Sequence, residues 1–337
     1  MKKFLIRLLV FTFMIAVTGE LIIRIFKLSP DIPRMYVDKM GIQRYVPGQT
    51  GYYTKAKTKW VVNKFGWLGT SDTSKDTLIS IIGDSYIENI MNPISCNQGN
   101  VLRSQSKEYS FFEAGRSGVT FIEAMQISKL LDSSIRPKMH LIYVNSEDFL
   151  ESSALNQRYI DRVQIDLSTN TILKGNLKSP GLKKILYNIK LMYYLYLRFP
   201  LFVDAKNKED HKEATKSIIR IRPEFDETVV NKLFAYCVKT YDMNKVTLVF
   251  HPGIEPAIIK LANQYCIKNI VLSIGKNEKS WALNSNDGHW SCYGHAQVAK
   301  QIGIELPSLL RTLKNNTALK SEQLLVLSAT TLIKQKF

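Results

Sequence analysis

Cysteine is scarce in this chain: Cys96, Cys237, Cys266 and Cys292 are the four among 337 residues. No two form a Cys-x-x-Cys pair and none stands at metal-ligand spacing, which removes the common zinc modules from consideration. Low-complexity tracts and internal repeats are missing too, so a solenoid or a disordered chain is excluded. Acidic residues are few beside basic ones, 29 Asp and Glu against 46 Lys and Arg, leaving a net charge of +17. Such a balance favours anionic partners. The basic residues are nevertheless spread along the chain with no nucleic-acid module among them, so nucleic acid is set aside as a partner in favour of a solvated basic surface.

What the sequence does contain begins with an apolar stretch from Phe4 to Phe26 behind Lys2 and Lys3, interrupted by Arg7, Glu20 and Arg24. Its uncharged core, Leu8 to Gly19, is short against the roughly 20 apolar residues of a membrane span. Arg7 can snorkel to one interface, and Glu20 and Arg24, four residues apart, can pair near the other. No clear small-residue cleavage site follows, and apolar residues resume at Leu21, so residues 1–27 read as an uncleaved signal anchor and not a cleaved signal peptide. With the N-terminus cytoplasmic, the remaining chain is extracytoplasmic. There, four cysteines allow up to two disulfides in three pairings. Cys237 and Cys266, on neighbouring predicted helices, are the favoured bridge, with free buried thiols as the alternative.

Residues 28–75 form an irregular lead-in rich in Pro, Gly, Tyr and Lys. Apolar runs in the style of buried parallel strands follow at Thr77–Ile82, Tyr109–Glu113, His140–Val144, Val246–Phe250 and Ile270–Ser273. Helical patterns at Thr120–Leu131, Glu227–Thr240, Pro256–Ile267 and Tyr293–Leu310 separate most of them. This alternation predicts an α/β domain over 76–310 with an open, mostly parallel sheet covered on both faces. An insertion at about 151–225 breaks the rhythm with a hairpin, Tyr159–Leu167 and Thr171–Leu173, and then a basic aromatic helix over Gly181–Arg198. The broad face of that helix (Leu182, Ile185, Leu186, Ile189, Met192, Tyr193, Tyr196) suits packing on the core, a membrane surface being the other reading. Residues 311–337 are a C-terminal tail with an apolar stretch at Leu324–Leu332.

The chemistry starts where the first strand runs into Gly83-Asp84-Ser85. Ligands of a parallel sheet bind outside the carboxyl ends of strands. Gly83 permits a backbone turn that a side chain would obstruct, and Ser85 at a helix N-terminus would face free N–H groups suited to an oxyanion. The competing role for Ser85 is simply to cap that helix. A serine nucleophile needs a base, and the base an orienting group. Asp287-Gly288-His289, on a polar loop before the last helix, supplies both. His251, after the fourth strand, is the strongest competitor as base; His295 reads as structural or capping, His140 and His211 as structural or surface residues.

Together these segments resemble the SGNH (GDSL-type) hydrolase family over roughly 76–150 and 244–308. The resemblance implies a flavodoxin-like three-layer α/β/α fold, here preceded by one transmembrane helix, with Ser85 as nucleophile. Glu113-Ala114-Gly115-Arg116-Ser117-Gly118 looks like the second block, with Gly118 in the place of the oxyanion-binding glycine. Asp287-Gly288-His289 and Gly294-His295 look like the last block. The pattern departs from the family at three places. The last block is one residue short, a D-x-H-W form that also resembles bacterial polysaccharide acetyltransferases of the alginate type. Glu113 stands where Asn is common. In Asn145-Ser146-Glu147-Asp148, Glu147 occupies the place of the oxyanion-donating Asn, and a carboxylate there repels developing negative charge. Asn145 is the substitute donor nearest in sequence.

The expected activity is a Ser-His-Asp ester hydrolase or O-acyltransferase acting on acyl groups of cell-envelope or extracellular glycans. It requires neither cofactor nor metal, and its partners are an acylated glycan or other ester and the membrane. Glu147 supports the alternative, a non-catalytic SGNH-like protein that binds or scaffolds glycans.

Overall fold

The computed structural model describes all residues except 70, 156, 179, 200–224, 277 and 335–337, and the side chains of 180, 182, 187 and 314–334 are also outside the description. His211 therefore lies outside the described residues, as do the side chains of Leu182 and of the tail stretch Leu324–Leu332. Helix α1 (Lys2–Ile25) leads into two antiparallel pairs, β1 (Met35–Val37) with β2 (Gln43–Tyr45) and β3 (Thr50–Tyr53) with β4 (Thr58–Val61). The lead-in is thus more regular than its composition suggests. Trp60 and Tyr45 bury against Val62 and Leu68 and hold these short pairs on the domain.

The domain proper runs β5 (Leu78–Gly83), α2 (Ser85–Glu88), α3 (Gln98–Gln105), β6 (Ser110–Gly115), α4 (Phe121–Ser134), β7 (Met139–Val144) and α5 (Ser146–Ser152). The insertion supplies the hairpin β8 (Gln164–Asp166) and β9 (Thr171–Leu173), then α6 (Pro180–Asn188) and α7 (Lys190–Arg198). After it come α8 (Glu227–Thr240), β10 (Val246–Phe250), α9 (Pro256–Gln264), β11 (Lys268–Val271), the pair β12 (Ala282–Asn284) and β13 (Asp287–Trp290), and α10 (Cys292–Lys334).

Five strands make the central sheet in the order β11-β10-β7-β5-β6, every pairing parallel. Strand periodicity divides its side chains between two layers. Leu78 and Ile82 face α4, α8 and α9, where Phe121, Phe234 and Ile258 pack with them. Ile79 and Ile81 face α3 and α10, against Leu102, Val298 and Ile302. With both faces covered, all of Leu78–Gly83 is buried, and each such aliphatic or aromatic side chain contributes about 1.5–3 kcal/mol. The result is a three-layer α/β/α domain with one apolar helix in front. Caps fix the helix starts: the Thr120 hydroxyl accepts from Glu123 N–H and the Asp226 carboxylate from Thr228 and Val229 N–H, while Pro256 opens α9.

Three expectations are corrected. The disulfide joins Cys96 to Cys292, not Cys237 to Cys266. Cys237 is buried in the core with side chains of α4 and α9, whereas Cys266 lies exposed just after α9, so the two thiols occupy different environments. The predicted single helix over 181–198 breaks at Ile189 into α6 and α7. At the break, Glu20 of α1 accepts the N–H groups of Lys190 and Leu191 at 3.0 and 2.6 Å, and Arg24 donates to the Asn188 carbonyl at 2.9 Å. These tertiary partners satisfy the helix ends that a continuous helix would hide. Finally, Asp287 and His289 stand on strand β13, not on an open loop.

Candidate active site

Ser85, Gly118, Asn145 and His251 follow the carboxyl ends of β5, β6, β7 and β10, and the β12–β13 pair closes over them. They line an open cleft of about 820 Å³ together with Glu147, Glu151, Arg162 and His289. The local turn at Ser85 depends on Gly83: a Cβ there would lie 2.6 Å from Ile87 Cγ1, so only glycine lets α2 turn back so tightly on β5. Asp84, and not Ser85, caps α2, accepting from Tyr86 N–H at 2.9 Å. The Ser85 hydroxyl is thereby left for other partners.

Its partner is His289. Nε2 of His289 lies 2.8 Å from Ser85 Oγ, and Nδ1 lies 2.6 Å from Asp287 Oδ1. The same Asp287 oxygen accepts the His289 backbone N–H at 3.1 Å, which fixes carboxylate and ring to one short strand. The His289 hydrogen bond is the main cause holding the Asp287 carboxyl below its ordinary range. Asp287 is therefore an anion at neutral pH, and the ring presents Nδ1–H to it and an accepting Nε2 to the serine hydroxyl.

Strand β13 is held by what comes after it. Trp290 is buried among Tyr86, Tyr143, His251, Trp281 and His295, and the Asn92 amide donates to its carbonyl at 2.8 Å. Two residues later the Cys96–Cys292 disulfide ties the start of α10 to the segment after α2. The histidine is thus placed by an aromatic anchor and a covalent bridge.

Among the described residues, the other histidines are engaged elsewhere. His251 lines the cleft but packs its ring on Tyr86 and Trp290, each 4.6 Å away, and burial pushes it down to about 3. His295 is buried in the first turn of α10 with Nδ1 2.9 Å from Gln98 Oε1, and is likewise pushed down to about 3. His140 belongs to a second Ser-His-Asp arrangement: Ser80 Oγ lies 2.6 Å from His140 Nδ1, and His140 Nε2 lies 3.5 Å from Asp132. Ser80 and His140 face each other in register in mid-sheet with exposures of 0% and 1%. A buried serine at the centre of a strand has no approach for a substrate, so this set joins strands where the Ser85 set opens to the cleft.

Around Ser85 the charges are unusual. Gly118 has φ +76°, a left-handed turn, and a Cβ on it would lie 3.1 Å from Arg162 Nε. Arg162 in turn pairs with Glu151. Neither residue carries a sequence signal, since both come from the end of α5 and the loop before β8. Asn145 caps α5: its Oδ1 accepts from Glu147 and Asp148 N–H at 2.8 and 3.2 Å, while its amide points to Asp84 Oδ2 at 3.5 Å. Glu147, in the first turn of α5, lines the cleft. Glu113 is fully buried and accepts Gly99 N–H at 2.8 Å, away from the cleft. Burial raises the Asp84 carboxyl to about 6, and burial also holds Asp148 well above the ordinary carboxylate range, with the Asp84 charge adding to the effect. Among the described residues no group of three or more His, Cys, Asp or Glu is arranged to hold a metal ion.

No protein-family model and no curated protein sequence matches this chain. Solved structures do. It is similar to the esterase EstA from Pseudoalteromonas sp. at 11% identity and TM-score 0.39, covering 70% of this chain and 100% of that one. It is similar to a putative GDSL-like lipase from Bacteroides ovatus at 15% identity and TM-score 0.35, covering 69% and 98%. TesA is similar at 10% identity and TM-score 0.35, covering 69% and 99%.

Proposed function

We propose that this chain is a membrane-anchored serine hydrolase or O-acyltransferase of the SGNH type, with a flavodoxin-like domain outside the cytoplasm. The observation that carries the reading is the hydrogen-bonded chain from Ser85 through His289 to Asp287 at the mouth of an open cleft. Such a chain lets Ser85 Oγ attack an ester carbonyl as His289 Nε2 takes its proton, and Asp287 stabilises the imidazolium. In this reading the Gly118 N–H, on a left-handed turn that lines the same cleft, donates to the oxyanion. Collapse expels the alcohol, which regains a proton from His289, and leaves an acyl-Ser85. Water then completes hydrolysis, or a sugar hydroxyl completes transfer. The wide, mostly polar cleft suits a glycan better than an enclosed apolar tunnel would.

Two features support the location. Helix α1 is 24 residues long, about 36 Å at 1.5 Å per residue, enough to cross a hydrocarbon core. Nearly all its apolar side chains are exposed, with Ile23 buried. A disulfide beside the site fits an oxidising compartment.

Glu147 favours a second reading, in which the domain binds glycans without turning them over. A fluorophosphonate applied to the full chain in detergent separates the two. Covalent labelling of Ser85 that is lost in Ser85→Ala, with parallel loss of p-nitrophenyl acetate hydrolysis, is the expected result. A folded protein that takes no label at Ser85 overturns the enzymatic reading.

A further inference from the structure

A second cavity, of about 570 Å³, shares no lining residue with the Ser85 cleft and falls within the usual 300–1,000 Å³ of small-molecule sites. One wall is the segment directly after α1, with Ile32 and Met35; the other is α6 and α7, with Leu186, Tyr193 and Leu197. Polar groups on its floor are mutually satisfied. The Glu88 carboxylate accepts from the Tyr45 and Ser117 hydroxyls, and burial raises it toward the neutral acid. Asp31 pairs with Lys190 at 2.6 Å. Two further cations, Lys178 and Lys183, line the same cavity.

The placement of α7 says what kind of ligand can reach this space. Glu20, near the end of α1, caps the first N–H groups of α7, and a Cβ on Gly19 would touch Leu191 at 3.4 Å. Helix α7 is therefore fastened directly to the end of α1. Ile185, Ile189, Met192, Leu195 and Leu197 stand exposed along α6 and α7, and Leu21, Ile22, Ile25 and Phe26 stand exposed at the end of α1 to which α7 is fastened. An apolar band of this kind is unfavourable in water, and a helix pair with lysines beside it suits the headgroup boundary of a bilayer. Lysines at that level attract anionic headgroups.

We propose that this cavity takes an acyl chain of an anionic phospholipid from the leaflet in which α1 ends, with Lys178 and Lys183 holding its phosphate. The inference rests on the reading of α1 as a membrane anchor and not on the chemistry at Ser85.

The test uses the full chain in nanodiscs of phosphatidylcholine mixed with a phosphatidylglycerol that carries a diazirine at the end of one acyl chain. After photolysis, crosslinks are expected on Ile32, Met35 and Leu186 as well as on the lipid-facing surface of α1. Leu186→Trp, which fills the cavity, should reduce the cavity crosslinks several-fold and leave those on α1 unchanged. The surface variant Lys178→Glu with Lys183→Glu, which spares the apolar walls, should abolish the preference for phosphatidylglycerol over an equally tagged phosphatidylcholine. Label confined to α1 and the outer face of α7, or cavity label indifferent to both variants, overturns the proposal. So does equal cavity labelling by a tagged free fatty acid, which would remove the headgroup from the recognition. Ser85→Ala should keep every crosslink, so failure of the serine mechanism leaves this result standing. An α1 that takes no label removes the anchor and the cavity proposal together.

Discussion

His289 Nε2 lies 2.8 Å from Ser85 Oγ across 204 residues of chain, whereas Ser80 Oγ lies 2.6 Å from His140 Nδ1 inside the sheet. Two serine–histidine pairs thus have similar distances and opposite surroundings. Ser85→Ala or His289→Ala is expected to lower kcat for an activated ester by on the order of a thousandfold or more. Ser80→Ala should leave kcat unchanged and lower stability by about 1–3 kcal/mol, because it strips a buried histidine of a partner. Esterase kinetics beside chemical denaturation checks both; loss of kcat in folded Ser80→Ala would move the chemistry from Ser85 to Ser80.

Glu147 lines the cleft where an oxyanion donor would be useful. Replacing it with Asn supplies an amide and removes a negative charge from the region where charge develops. Glu147→Asn should raise kcat on the order of tenfold or more, with a smaller change in KM. An unchanged or lowered kcat would show that Glu147 faces away from the reacting carbonyl or assists the reaction.

The Cys96–Cys292 bridge closes a sequence separation of 196 residues and anchors the residue two positions beyond Trp290. Its removal in Cys96→Ser with Cys292→Ser should cost about 2–5 kcal/mol of stability. Because the bridge adjoins β13, activity should fall at temperatures well below the melting transition. Thermal melts with and without reductant, read beside initial rates, test this; identical melts would mean the bridge contributes nothing.

Asp84 is raised to about 6, chiefly by burial, from an ordinary value near 3.8. Between those two pH values the folded state holds a proton that the unfolded state has released, so stability falls as pH rises through that window. Above pH 6 the whole cost of an ionised, buried carboxylate is present. Asp84→Asn retains an oxygen that can cap α2 and removes that cost. The variant should melt higher than the natural protein at pH 8 and match it near pH 3. A constant difference across pH would trace the effect to packing instead of ionisation.

Much of the fold was legible because it rests on periodicity. Buried parallel strands need unbroken apolar runs, and Leu78–Ile82 and Val246–Phe250 have them; Thr120 and Pro256 mark helix starts through local hydrogen bonding and a fixed φ. The lead-in strands β1–β4 were not legible, since three- and four-residue strands carry no period and depend on Trp60 and Tyr45 finding a distant surface. The break at Ile189 was equally hidden, because its cause is Glu20 on another helix.

The candidate site divides in the same way. The sequence by itself determined which residue types lie at strand ends, Ser85 after β5 and Asp287-Gly288-His289 before α10, since local pattern and motif spacing are properties of one segment. Only the tertiary structure decided that His289 rather than His251 meets Ser85, that Cys96 bonds Cys292, and that Arg162 comes down on Gly118. Those pairings arise from packing between segments far apart in the chain. A distance between side chains is fixed by the layers that carry them, not by the residues between them.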